Sequence, residues 1–181
     1  MFLRTLGFIL LTLLLIHCND HPQSSAGNHD LSMNDMNNDI KHHQYYSRTD
    51  TTRVVLPDSV WATLLSEDLY AVAREAATER AFTGKYWDYE GKGTYYCAAC
   101  GNRLFRSDSK FASGCGWPSF FEAVRPTAVI YKIDSSFNMV RTEVLCGRCD
   151  AHLGHIFDDG PPPTGKRFCM NSISLEFEPD K

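Results

Sequence analysis

A mainly antiparallel β fold with helices on its N-terminal side is predicted by three features of this 181-residue chain. Four of its seven cysteines form two CxxC pairs, Cys97-Ala-Ala-Cys100 and Cys146-Gly-Arg-Cys149, and each pair ends a strand-like run. Within the folded region, apolar residues at helical spacing fall between Asp58 and Ala76. Beyond Gly84 the pattern changes to short runs bounded by turn residues.

The first residues read as a targeting segment. Arg4 precedes an apolar run from Leu6 to Ile16, broken only by Thr12. That run is shorter than the ~20 residues of a membrane span and suits the core of a signal peptide. Leu15-Ile16-His17-Cys18 resembles a bacterial lipoprotein cleavage box with Cys18 as the acylated residue, although His17 stands where a small residue is usual. Residues 1–18 are therefore expected to be an export leader that delivers the protein to the bacterial cell envelope or periplasm. Lipid attachment at Cys18 is the favoured outcome, with ordinary signal cleavage or an uncleaved anchor as the alternatives. Residues 19–53 are rich in Asn, Asp, His and Ser without apolar periodicity, and are expected to be a flexible tether. His42-His43 within it reads as solvated linker. The domain proper is 54–181.

The elements of that domain follow in order. Asp58 is expected to cap a short helix through Leu65, and Ser66 a second, with Leu69, Val72, Ala73 and Ala76 on one face. Gly93 to Tyr96 leads as a strand into Cys97, and Met139 to Leu145 into Cys146. Ala128–Asp134 and Asn138–Leu145 form a hairpin around Ser135-Ser136-Phe137, and residues 150–155 form a loop beyond the second cysteine pair. Pro161-Pro162-Pro163 is a rigid surface loop before core strands at Lys166–Asn171 and Ser174–Glu178.

Two CxxC knuckles offer four thiolates to one tetrahedral ion, and thiolate-only zinc sites are closed and structural. Cys97, Cys100, Cys146 and Cys149 are thus expected to hold one Zn2+, with Gly101 and Gly147 supplying the tight turns. The 45 residues between the pairs leave room for a subdomain. Two disulfides are the bland alternative; a redox CxxC lacks its βαβ context.

Cys115 and Cys169 belong to no metal-spaced pair. A lone cysteine is commonly a small buried hydrophobe, yet the neighbours of these two suggest more. Arg167, Cys169 and Asn171 point to one face of a strand, where the cation favours a thiolate and the amide can bond a substrate oxygen. Cys115 lies between glycines beside Trp117, in a setting that suggests an accessible sulfur. His152 and His155 suit the proton donor or thiolate partner of a thiol catalyst; loop histidines satisfied by hydrogen bonds are the alternative.

Taken together, TERAFTGKYWDYEGKGTYYC (78–97), CGWPSF (115–120), CGRCDAHLGHIF (146–157) and DGPPPTGKRFCMNS (159–172) resemble the type B peptide methionine-R-sulfoxide reductases. The resemblance runs from about Val54 to Phe177. It implies two antiparallel sheets packed as a small open barrel, with the zinc remote from the active site. It also implies Cys169 as catalytic nucleophile, Cys115 as resolving cysteine, and a pocket of Trp117, His152, His155 and Asn171, with Arg167 beside it. The substrate is then methionine-R-sulfoxide, free or in oxidised proteins, and a thioredoxin-like dithiol recycles the enzyme in an oxidative-stress repair role. In that chemistry Trp117 offers an apolar wall for the S-methyl group.

The formal net charge of −4 and the absence of a basic stripe argue against a nucleic-acid partner. Membrane contact is expected only through the leader or its lipid, and the protein is expected to be a monomer. Two other functions stay open on sequence grounds: a noncatalytic zinc-knuckle binding module, which needs neither Cys115 nor Cys169, and a general thiol–disulfide oxidoreductase.

Overall fold

The computed structural model describes residues 42–181; the leader, Cys18 and the tether through residue 41 lie outside the described residues. In chain order come α1 (Asp58–Leu64), α2 (Glu67–Glu75), β1 (Gly93–Cys97), β2 (Arg103–Arg106), β3 (Lys110–Phe111), β4 (Ser119–Phe120), β5 (Val129–Asp134), β6 (Arg141–Cys146), β7 (His152–Phe157), β8 (Arg167–Met170) and β9 (Leu175–Pro179). The strands form two sheets ordered β2-β1-β9 and β3-β4-β8-β7-β6-β5, and neither closes on itself. Every pairing is antiparallel. The mainly β, open architecture expected from the sequence is the one observed.

Pleating explains where the core sits. Tyr95, Phe105 and Phe177 on the smaller sheet and Phe120 and Phe168 on the larger are all buried. Phe105 stacks on Phe120 with centroids 4.4 Å apart, and Tyr95 meets Phe120 edge-on at 5.0 Å. Such pairs add about 0.5–1.5 kcal/mol beyond burial, so this aromatic seam joins the sheets. On β8 the buried residues are Phe168 and Met170, while Arg167 and Cys169 are only partly covered. The core therefore fixes one face of β8 and leaves the other for chemistry.

The helices depart from expectation at their ends. Pro57, with φ −58°, occupies the cap of α1, so Asp58 is the first helical residue and its carboxylate instead accepts from Arg74 Nε at 2.8 Å. Ser66 caps α2 as expected, its hydroxyl accepting from the Leu69 N–H. Ala76 leaves the helix in the left-handed conformation (φ 56°) and is exposed, so the buried face of α2 ends at Ala73.

Three larger differences concern the knuckles and their surroundings. Residues 152–157 form strand β7 where a loop was expected, because the Cys146–Cys149 turn reverses the chain onto β6. The left-handed residue closing that turn is Asp150 (φ 59°), which matches Gly101 (φ 78°) after the first knuckle. Gly147 is instead required by close approach, since a Cβ there would lie 2.1 Å from the Thr127 carbonyl oxygen. The hairpin is as expected, but β6 begins at Arg141 because Asn138 turns left-handed (φ 55°).

Residues 42–53 are not tether. The Ser47 N–H donates to Cys100 O at 2.9 Å and the Val54 N–H to Arg148 O at 2.8 Å. The guanidinium of Arg148, 3 % exposed, donates to the carbonyls of Tyr45, Thr52 and Cys100 and to the Asp50 carboxylate. A polar segment without apolar period is held here through backbone groups and long-range side-chain contacts such as His43 Nε2 to Ala99 O and Arg48 to Glu178, which composition does not reveal.

Candidate active site and metal centre

Cys169 lies at the middle of β8, and its position follows from register. Ser119 of β4 pairs with it on one side and His155 of β7 on the other, so the three share a sheet face. Gly154 permits the close packing of β7 on β8: a Cβ there would stand 2.1 Å from the Cys169 carbonyl oxygen. The same alternation puts Arg167 beside Cys169, as the sequence suggested.

Cys115 approaches from the loop before β4. Its Sγ is 3.4 Å from Cys169 Sγ, and both cysteines are partly buried. Burial pushes the Cys115 thiol up, but Ser113 (Oγ at 2.9 Å) and Ser119 (3.5 Å) more than compensate, and it is lowered to about 7. Burial and then the neighbouring Cys115 push the Cys169 thiol up to about 12, with Arg167 opposing. Two sulfurs in contact cannot both ionise freely, so the pair titrates as a unit carrying one charge.

A cavity of about 110 Å³ opens at Cys169, lined by Thr78, Trp117, Arg141, His155, Phe157 and Asn171. Trp117 and Phe157 are its aromatic walls. Larger cavities of about 300, 330 and 700 Å³ lie elsewhere among the described residues and include none of Cys169, His155 or Asn171. Chemistry rather than size selects the smaller one.

The two histidines separate. His155 lines the cavity, and its Nε2 lies 2.8 Å from Asp134 Oδ2. Hydrogen bonds from Ser136, followed by those of His155 and Arg141, hold Asp134 well below the usual carboxylate range. His152 sits behind the cavity, 2 % exposed, with Nδ1 2.7 Å from Glu143 Oε1 and its buried Nε2 without a protein partner. Burial lowers its pKa although Glu143 opposes. Arg167 is outside the lining; it makes a two-pronged pair with Asp159 at 2.8 and 2.9 Å and stacks over Phe157. The Asn171 amide is tied to backbone: its Oδ1 accepts from the Glu79 N–H at 3.0 Å and its Nδ2 donates to Leu153 O at 3.2 Å.

Sequence reasoning missed Asp134, Arg141, Glu143, Asp159, Ser113, Ser119 and Phe157. The available signal was alternation: Glu143 and Arg141 are polar residues on one face of a strand otherwise rich in apolar residues.

At the other end of β1 and β6, the four knuckle cysteines are buried with all four Sγ atoms within 4.8 Å of one another. Cys97 Sγ and Cys149 Sγ are 3.9 Å apart, and Cys100 Sγ and Cys146 Sγ 3.6 Å. Tetrahedral zinc with ~2.3 Å Zn–S bonds spaces its sulfurs about 3.8 Å apart, whereas a disulfide needs ~2.05 Å. Asn102 Nδ2 and the Arg148 N–H each donate to Cys146 Sγ at 3.4 Å, as suits a thiolate ligand. The donor set fits a divalent metal.

A SelR domain family model matches residues 65–179. Over 128 residues the chain is 54 % identical to a peptide methionine sulfoxide reductase MsrB of Herminiimonas arsenicoxydans, covering 71 % of this chain and 93 % of that protein. An MsrB of Thiobacillus denitrificans is 57 % identical over 122 residues, covering 67 % of this chain and 92 % of its own length. A Synechococcus MsrB is 51 % identical over 131 residues, 72 % of this chain and 96 % of that one. Similarity at this level over nearly the whole length of each relative decides the matter: the chain belongs to the SelR domain family and is a methionine sulfoxide reductase.

Proposed function

We propose that the chain reduces the R epimer of methionine sulfoxide, with Cys169 as nucleophile, Cys115 as resolving cysteine and a thioredoxin-type dithiol as reductant. One observation carries the division of labour: Cys169 lines the cavity and Cys115 does not, yet the two sulfurs are 3.4 Å apart. At roughly 30 Å³ of liquid volume per water-sized group, 110 Å³ accommodates about four heavy atoms, the size of a CH3–SO–CH2 head. Trp117 and Phe157 receive the methyl group, and His155 and Arg141 face the polar oxygen.

In the first step Cys169 passes its thiol proton to the adjacent Cys115 thiolate, its Sγ attacks the sulfoxide sulfur and the S–O bond breaks, with the oxygen passing to Cys169 as sulfenic acid. Methionine leaves reduced by two electrons, and Cys169 is oxidised by two. His155, held by Asp134, supplies the proton that the oxygen needs. Arg167 favours the charged form of Cys169, and Asp159 keeps its guanidinium in place. Cys115 then attacks the Cys169 sulfenic acid, releasing water and forming a disulfide. Its lowered pKa suits the attacking sulfur, since thiolate is the reactive form. An external dithiol restores both thiols by exchange.

The four knuckle cysteines hold one structural Zn2+, which clamps the ends of β1 and β6. Residues 1–18 export the protein to the cell envelope, with lipid attachment at Cys18. Among the described residues no helix is long and apolar enough to cross a membrane. Fractionation with labelled palmitate tests the anchor: an unlabelled periplasmic product removes the lipid, and a cytoplasmic one removes export as well.

The reductase reading is tested with dabsylated R- and S-methionine sulfoxide, using dithiothreitol and then a thioredoxin system. Turnover of the R epimer with both reductants is expected. Turnover of the S epimer, or reduction of insulin disulfides without sulfoxide reduction, overturns the assignment.

A further inference from the structure

We propose that Glu79 is the positioning residue that fixes the shape of the substrate cavity, by joining its Trp117 wall to its Asn171 corner. The inference rests on the reading of the cavity as the sulfoxide site. Glu79 follows Thr78, a lining residue, in a segment between α2 and β1 that has no regular structure of its own. Four hydrogen bonds nevertheless converge on this one residue. Its backbone carbonyl accepts from Trp117 Nε1 at 3.2 Å, and its backbone N–H donates to Asn171 Oδ1 at 3.0 Å. Its carboxylate accepts from the Ser172 N–H at 2.6 Å through Oε1 and from the Ile173 N–H at 3.1 Å through Oε2.

These contacts have one geometric consequence. The carboxylate anchors the residue to the turn directly after β8, three and four residues beyond Cys169. The main chain of the same residue then sets where the Trp117 indole and the Asn171 amide stand. Trp117 comes from the loop carrying Cys115, and Asn171 directly follows the strand carrying Cys169. The aromatic wall is therefore spaced from the nucleophile through Glu79 rather than by direct packing. The surroundings are tight: a Cβ at Gly84 would lie 2.5 Å from Glu79 Oε1 and 2.3 Å from Ser172 Oγ. Ser172 Oγ also accepts from the Tyr86 N–H at 3.2 Å, which holds the segment on its far side.

A residue that merely pins a loop and one that sets a cavity differ in what they change. Glu79→Gln keeps the size of the side chain but loses one of the two carboxylate acceptors. With Trp117 and Asn171 no longer spaced, the sulfoxide is held less well, while Cys169 remains on its strand. KM for the R-sulfoxide is expected to rise on the order of tenfold, the weight of one lost hydrogen bond to a charged group. The rate of Cys169 alkylation by iodoacetamide is expected to stay within about twofold, because that reagent needs no shaped cavity.

The experiment measures KM, kcat, iodoacetamide rate and melting temperature for wild type, Glu79→Gln and Glu79→Asp. The indole N–H resonance of Trp117, assigned with Trp117→Phe, is followed in each. A raised KM with a shifted Trp117 resonance and preserved alkylation supports the proposal, as does partial recovery in Glu79→Asp. An unchanged KM and resonance overturns it and leaves the reductase reading standing. A parallel fall of kcat, alkylation rate and melting temperature also overturns it, because the residue then serves folding alone. A wild-type protein without sulfoxide reductase activity removes the underlying reading instead.

Discussion

Cys115 Sγ lies 3.4 Å from Cys169 Sγ, and only Cys169 reaches the cavity. This contact makes the two thiols unequal: the serines draw charge to Cys115, and burial followed by that charge raises the pKa of Cys169.

The inequality predicts an asymmetry between single replacements. Cys169→Ser abolishes sulfoxide reduction with every reductant. Cys115→Ser completes one turnover, accumulates a dimedone-trappable sulfenic acid and loses thioredoxin-dependent cycling. Single-turnover assays with each variant check this. Normal cycling of Cys115→Ser would place the resolving sulfur elsewhere.

A pH dependence follows from the same pair. In wild type the first alkylation midpoint is expected near pH 7 and on Cys115, where burial is outweighed by the Ser113 and Ser119 hydrogen bonds. A hydrogen bond to the thiolate favours the charged form, so Ser113→Ala moves that midpoint upward. Cys115→Ser removes a neighbouring negative charge, so the Cys169 midpoint falls from its wild-type position of about 12. Mass spectrometric alkylation profiles between pH 6 and pH 10 read the first two effects directly. An upward shift for Cys169 in Cys115→Ser would contradict the shared-charge account.

Asp134 provides a third test. It holds His155 at 2.8 Å, and Ser136, His155 and Arg141 keep its carboxylate ionised far into acid. A depressed carboxylate contributes stability above its unfolded pKa of about 3.9, and that contribution disappears as pH falls through the folded value. Asp134→Asn therefore lowers stability at neutral pH and narrows the gap from wild type in strong acid. The first catalytic step slows at least about tenfold if His155 is the proton donor. Urea titrations at pH 7 and pH 3 and stopped-flow kinetics check the two halves separately.

What the sequence revealed depended on how local each signal was. The four knuckle cysteines, Cys169 and the strands leading into the knuckles are marked by spacing within a few residues. Strand β7 was hidden because Gly154 interrupts its alternation. Asp134, Glu143 and Asp159 were hidden for another reason. Each finds its partner, His155, His152 or Arg167, across a strand pairing or a loop whose register is set only by the fold. Residues 42–53 escaped because they dock through the carbonyls that Arg148 binds and through scattered side chains, Tyr46 and Arg48 on Glu176 and His43 on Ala99 O, instead of an apolar stripe.

Metal removal should unfold the knuckles. Thiolate zinc sites in small domains contribute about 10–16 kcal/mol of apparent binding free energy, and the four sulfurs here are buried together within 4.8 Å of one another. One zinc per chain is expected by metal analysis, with loss of metal and of cooperative melting in Cys97→Ser and Cys149→Ser. A metal-free protein with the wild-type melting curve would refute this.

Arg148 ties that centre to the N-terminal strap. It lies inside the second knuckle, 3 % exposed, and donates to Tyr45 O at 3.0 Å, Thr52 O at 3.1 Å and Asp50 Oδ2 at 3.2 Å as well as to Cys100 O. Removing its charge leaves several carbonyls short of a donor, at roughly 1–3 kcal/mol for each group left buried. Arg148→Leu is therefore expected to lower stability by at least about 2 kcal/mol and to speed zinc transfer to a chelator. Deleting residues 1–53 breaks the same hydrogen bonds from the other side, so it should have a similar effect. The combined variant should then be little worse than either alone, because groups sharing one network do not add. Fully additive losses would mean that the strap and Arg148 stabilise the knuckles separately, and the hydrogen bonds between them would carry no weight in metal retention.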